Sequence, residues 1–314
     1  MDFVAKDRLN STRFRAAPRP PGALPATMAE RRRSFLRGSA GVLLMAGFGS
    51  MMLSACGGAG DPSMALAPSL ASADNFRDVA GIGEGYPTVD GRRMRRGVFY
   101  RANVLALSAA DQATLGTLGL STVYDLRTPG EIARTPDVLP VGVSYVTINI
   151  AGTDDVQLPP LTSAADAVAL QESNERSYVT GGAQRTGYAT LFNQLANTQG
   201  AQLFHDTTGA DATGWVAAVL LSIANVPLDL IIQDYLLTNT VAQASIEAVL
   251  KALRAQQGDA VAETETPLFD VQASFLQAGF DQVQASYGTM SNYLTQGLGL
   301  TRSTIDSLHD RLVV

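Results

Sequence analysis

Apolar and polar positions along the chain sort it into three kinds of segment. Thr122 to Leu126 and Tyr145 to Ile150 are short β-branched or aromatic runs, the type that suits a pleated, half-buried strand. Ala109 to Leu118, Leu191 to Thr198 and Ile246 to Arg254 carry apolar residues three and four apart, as helices with one buried face do. Ala201 to Phe204 reads as the end of a buried strand, and Gly214 to Leu221 as an apolar helix. Short strands alternating with helices predict an α/β sheet flanked by helical layers. From Asp154 to Gly182 the pattern fades into a polar, acidic stretch rich in Ala, Ser and Pro. Two readings fit that stretch equally: a loop or mobile helical lid over a site, or a plain surface insertion.

The beginning of the chain is patterned differently. Arg32-Arg33-Ser34-Phe35-Leu36-Arg37 fits a twin-arginine export signal, and Gly41 to Met52 is an apolar stretch too short for an ordinary membrane span. Leu53-Ser54-Ala55-Cys56 fits a lipobox, which puts the single cysteine of the chain where a diacylglyceryl group is attached. Met28 lies just before the arginines, so residues 1–27 read as an upstream extension. Gly57 to Ser72 is a Gly/Ala/Pro/Ser tether of the flexible kind. The expected organisation is an extension and signal over residues 1–55, a lipid-anchored linker over 56–73, and a folded domain over 74–314. The expected route is twin-arginine export, ending in lipid anchorage to a bacterial membrane, in the periplasm or at the cell surface.

Charge narrows the partners. Nine of the 23 basic and three of the 29 acidic residues precede Cys56, leaving 14 against 26, a net charge of −12. Such a surface repels nucleic acid and anionic headgroups, so membrane contact is expected through the lipid alone. The two histidines, His205 and His309, and one distant cysteine offer no metal-ligand cluster, and no cofactor is implied.

The candidate chemistry lies between Phe204 and Trp215, in the run Phe-His-Asp-Thr-Thr-Gly-Ala-Asp-Ala-Thr-Gly-Trp. A strand, a short turn with Thr and Gly, and then a helix aim backbone N–H groups at an anion. The order resembles the bacterial tyrosine and phosphoinositide phosphatase family, whose loop reads His-Cys-x-x-Gly-Lys-Asp-Arg-Thr-Gly. His205, Gly209, Asp211, Thr213 and Gly214 match, whereas Asp206 stands for the cysteine, Ala210 for the lysine and Ala212 for the arginine. The resemblance extends along the chain through Asn75-Phe76-Arg77-Asp78, Val98-Phe99-Tyr100-Arg101 with Ala102 for a serine, Thr122 to Arg127, and Asp234 to Asn239. It ends in Tyr287-Gly288-Thr289-Met290, Tyr293-Leu294 and Gly297-Leu298-Gly299.

The resemblance implies a cysteine-phosphatase-like α/β sheet flanked by helices. It also implies a parent activity of phosphate monoester hydrolysis on phosphotyrosine or related substrates. In that mechanism a thiolate attacks phosphorus and an arginine fork follows the phosphoryl oxygens into the transition state. With nucleophile and both cations replaced, the expectation is a catalytically inactive member, inactivated naturally or by design, serving as a binding or scaffold lipoprotein. Phosphate binding is expected to be weak, with the Asp206 carboxylate itself taking the loop N–H groups. The alternatives are a hydrolase using Asp206 or another site, and an interaction module without an anion site. The family's general acid would follow the Tyr145–Ile150 strand, where Asp154 and Asp155 are candidates; two acids in a Gly-Thr-Asp-Asp turn also read as solvated turn formers. His205 and Asp125 read as structural, Arg77, Arg101 and Arg127 as loop cations or ion-pair partners, Trp215 as core, His309 as exposed, and the loop itself as exposed.

Overall fold

The computed structural model describes residues 67–314. Five strands form one sheet in the order β1-β2-β5-β3-β4. They are β1 (Arg77–Asp78), β2 (Phe99–Ala102), β3 (Leu120–Asp125), β4 (Ser144–Thr147) and β5 (Ala201–His205). β1 runs antiparallel to β2, and the other neighbours are parallel. The α/β sheet with helical layers expected from the sequence is the architecture found.

Side-chain alternation assigns the two faces. Tyr100, Val123 and Leu203 point into a smaller core with Leu105, Leu107 and Leu115. Their neighbours Phe99, Tyr124 and Phe204 point into a larger core built around Trp215. Helix α1 (Ala109–Gly116) follows β2 and α2 (Pro129–Arg134) follows β3. Helices α3 (Ala164–Thr180) and α4 (Gly182–Asn197) lead into β5. After β5 come α5 (Ala212–Ile223), α6 (Leu228–Leu236), α7 (Thr238–Val241), α8 (Gln243–Gln257) and α9 (Asp259–Glu265). The chain closes with α10 (Ala273–Tyr287), α11 (Met290–Asn292), a π turn (Tyr293–Gly297) and α12 (Arg302–Leu312).

Helix α5 is apolar all round because it is buried all round, with Ser222 alone outside its buried set. Trp215 is fully enclosed, and a Cβ added to Gly279 of α10 would come 2.5 Å from its ring. Only a glycine lets α10 approach that closely. The polar stretch after β4 does contain a helix, α3. Ser163 caps it by accepting from the Asp166 N–H, and its buried residues Ala167, Gln171, Glu175 and Val179 fall four apart on one face. That face packs on α10 and reaches α5. Among the described residues no helix is long and apolar enough to cross a membrane. Cys56 and the arginine pair at 32 and 33 lie outside the described residues.

Candidate functional site

Parallel strands place their C-terminal ends together. Ala102, His205 and Asp125 are in register across β2, β5 and β3, so the turns after all three share one edge. The central turn, Asp206 to Asp211, delivers the chain to the start of α5. Asp206 is buried in the concavity of this turn. Its Oδ1 accepts the N–H groups of Thr208 at 3.1 Å and Gly209 at 2.5 Å, and its Oδ2 accepts that of Thr213 at 2.9 Å. The loop's converging donors therefore already hold a carboxylate, one supplied by the loop itself.

Beneath the loop lies a buried cation. Arg101 Nη2 donates to the Gly209 carbonyl at 2.6 Å while Nη1 pairs with Asp234 at 3.2 Å. Burial first, then repulsion from Arg77, lowers the Arg101 pKa; Asp234 and Asp206 act against that. Asp234 also faces Arg77 at 3.6 Å and accepts from the Tyr86 hydroxyl. Gly209 has φ +72°, and a Cβ there would meet the Ala102 carbonyl oxygen at 2.6 Å. Gly214 is packed as tightly, since a Cβ would come 2.8 Å from the Tyr235 ring. Asn75 Nδ2 donates to the Thr208 carbonyl at 3.0 Å. The motif residues at 75, 77, 101, 209, 214, 234 and 235 are thus one scaffold for the loop.

Around the loop the titratable side chains are acidic. Asp211 accepts from Gln171 of α3 at 3.0 Å, and burial together with the Asp206 carboxylate pushes its pKa up to about 7. Glu175 of α3 is buried, and that burial, then Asp211 and Asp206, push it well above the usual carboxylate range. Glu131 of α2 accepts from the Thr207 hydroxyl at 2.6 Å and completes a capping box with Thr128. Four carboxylates thus bound the loop, and Arg101 is already committed to Asp234 and Gly209.

A second network supports β5 from the side. Arg127 forks onto Asp125 at 2.9 and 2.6 Å and reaches Asp137 at 3.0 Å, and the Tyr145 hydroxyl donates to Asp125. His205 Nε2 lies 3.0 Å from Asp137 Oδ2 but poorly aligned for a hydrogen bond. Asp125, Asp137 and His205 bring one ligand atom each within 4.8 Å of the others, a spacing a metal ion could bridge. The Arg127 guanidinium already lies on both carboxylates and supplies the opposing charge.

Several expectations can now be placed. His205 and Asp125 sit in this structural network, Trp215 in the core, and Arg77, Arg101 and Arg127 in ion pairs. Asp155 is forked by Arg134 of α2 at 2.7 and 2.8 Å, which holds its carboxyl below the usual range; Asp154 is exposed. His309 is partly exposed, with Arg92 Nη2 at 3.1 Å from its Nε2. The expectation of an exposed loop is overturned: Asp206, Ala210 and Ala212 are 8%, 4% and 8% exposed. Asp206 turns onto the loop's own N–H groups, and Ala210 and Ala212 pack into the core around Trp215. Reading the sequence missed Glu175 and Gln171, which sit in a polar stretch with no apolar periodicity to mark them as inward-facing, and Asp137, which lies in a Pro-flanked turn outside any motif.

A central parallel strand that feeds a backbone N–H cradle at the start of a buried helix defines the phosphate-loop class of α/β proteins. Residues 68–314 match the model of the tyrosine phosphatase family, and the chain belongs to that family. It is 34% identical over 235 residues to a candidate tyrosine-protein phosphatase of Cupriavidus necator, covering 71% of this chain and 81% of the other. It is 27% identical over 280 residues to the triple specificity protein phosphatase PtpB of Mycobacterium tuberculosis, covering 78% and 98%. A tyrosine-protein phosphatase of Nostoc commune shares 33% identity over 138 residues, covering 43% and 45%.

Proposed function

We propose that this chain is a catalytically silent member of the tyrosine phosphatase family, exported and anchored through Cys56, whose domain serves binding rather than turnover. The observation that carries the reading is the Asp206 carboxylate, which accepts from Thr208, Gly209 and Thr213 in the concavity where a substrate phosphate would need those donors. It stands where the family loop has its cysteine, and alanines at 210 and 212 stand where that loop has its cations. Loss of a nucleophile alone costs on the order of a million-fold in turnover in a well-studied protease. Losing the phosphoryl-stabilising arginine removes roughly a thousand-fold or more in other phosphoryl-transfer enzymes.

The alternative of a phosphoryl-accepting Asp206 is disfavoured by the same geometry. Both carboxylate oxygens are engaged, and aspartyl-phosphate chemistry needs Mg²⁺ and cationic clamps. The Asp206 carboxylate, sitting in the concavity itself, also opposes a phosphate dianion. The test is turnover by the purified, unaltered chain on an aryl phosphate, with Mg²⁺ and with chelator. No phosphate release above buffer is expected. Turnover that disappears in Asp206→Ala would overturn the proposal.

A further inference from the structure

The face of α3 that meets the loop carries an acid without a partner. Glu175 is 2% exposed, and its Oε2 is buried with no hydrogen-bond partner. The charges acting on it are those of Asp211 and Asp206, both negative. Four residues earlier on the same helix, Gln171 ties α3 to the loop through Asp211. A carboxyl in that position is tolerated as a neutral acid and strongly opposed as an anion, because among the described residues no cation compensates it. The contact between α3 and the loop therefore depends on protons.

None of the described elements packed around Glu175 brings it a compensating charge. From α2, Glu131 adds repulsion at Asp211. From β2, Arg101 is held by Asp234 and the Gly209 carbonyl. From α6, α4, α3 itself and the π turn come Tyr235, Tyr188, Tyr178 and Tyr293, whose phenols burial pushes upward, so they stay neutral. Arg185 of α4 acts on Tyr293 and donates to the Gly297 carbonyl. Glu263 and Glu265 of α9, Asp270 ahead of α10, Asp281 of α10 and the Glu172–Arg176 pair of α3 act on neither Glu175 nor Asp211.

We propose that α3 is a proton-operated lid: it stays seated on the Asp206–Asp211 loop while Glu175 and Asp211 are protonated, and lifts as they ionise. The sign follows from linkage. Both groups hold their protons more tightly when seated than in water, Asp211 up to about 7 and Glu175 well above its ordinary value. Seating is therefore strongest below the ordinary carboxylate range, near pH 4, and weakens as pH rises towards each seated value. The Gln171 hydrogen bond favours ionised Asp211 and opposes lifting, but burial, the larger effect, outweighs it. The lid requires no turnover by the loop, so its failure would leave the proposed function standing.

Hydrogen exchange of the full chain between pH 5 and pH 8, corrected for intrinsic rates, tests the lid. Peptides from Ala164–Thr180 are compared with peptides from Arg302–Leu312. Opening of α3 is expected to rise up to tenfold per pH unit for each proton released, with α12 unchanged. Glu175→Gln keeps the shape and removes one proton from the count, and Asp211→Asn removes the other, so at least one must flatten the slope. Flat α3 exchange, a rise shared by α12, or an unaltered slope in both variants would overturn the lid.

Discussion

Removing the carboxylate that fills the loop has two opposed consequences, and Asp206→Ala separates them. The variant strips an acceptor from the N–H groups of Thr208, Gly209 and Thr213. Hydrogen bonds to a charged group contribute roughly 1.5–3 kcal/mol each, so three set an upper bound of about 4–9 kcal/mol. Two effects bring that down. Water can enter the emptied concavity, and removing the Asp206 charge relieves Asp211 and Glu175, both of which it disfavours in their ionised forms. A net loss of about 2–4 kcal/mol is expected, which for a domain of this size lowers the melting temperature by roughly 4–16 °C. The freed donors should then accept an external anion. Phosphate at a hundred times its dissociation constant would return about 2.7 kcal/mol. The assay is thermal melting of both proteins in chloride and in phosphate at matched ionic strength, read as the difference between them because phosphate stabilises proteins generally. Phosphate should stabilise the variant more than the unaltered chain. Equal phosphate gains in both proteins, or an Asp206→Ala melt equal to that of the unaltered chain, would refute the claim that the carboxylate occupies an anion cradle.

Arg101→Met leaves Asp234 with Arg77, 3.6 Å away, and the Tyr86 hydroxyl, and removes the donor under Gly209. A loss of about 3 kcal/mol is expected, the low end for breaking a buried pair, and an unchanged urea midpoint would contradict it. Gly209→Ala combines a left-handed φ of +72° with a contact of 2.6 Å to the Ala102 carbonyl oxygen, so the loop must move. At least about 2 kcal/mol should be lost, and a wild-type melting curve would show that the close approach does not exist. Cys56→Ser should abolish lipid labelling and leave unprocessed precursor; normal processing would remove the anchor from the account.

What the sequence revealed and what it hid follow from how each element is stabilised. β3, β5 and α5 were legible because their burial is written as β-branched or apolar runs, and their limits moved by only a few residues. α4 begins at Gly182 rather than Leu191, because its first turns are polar and carry no apolar stripe. β1 and β2 left no periodic trace: one is two residues long, and Arg101, fully buried in the other, breaks the apolar reading. Glu175 shows the limit most clearly. An acid between polar neighbours reads as solvated, and only the packing of α3 on α10 turns it inward. The loop's polar composition misled in the same way, since Asp206 is turned inward onto the N–H groups of Thr208, Gly209 and Thr213.

Rebuilding the missing groups tests the central claim most directly. Asp206→Cys, Ala210→Lys and Ala212→Arg, made together in the full chain, should produce metal-independent aryl phosphate hydrolysis where the unaltered chain gives none. Because Ala210 and Ala212 are 4% and 8% exposed, the long cationic side chains must displace their neighbours, so folding is checked by circular dichroism first. Each single restoration should recover little, as expected of residues acting as one unit. A folded triple variant that remains silent, or an unaltered chain that matches it in rate, would contradict the account.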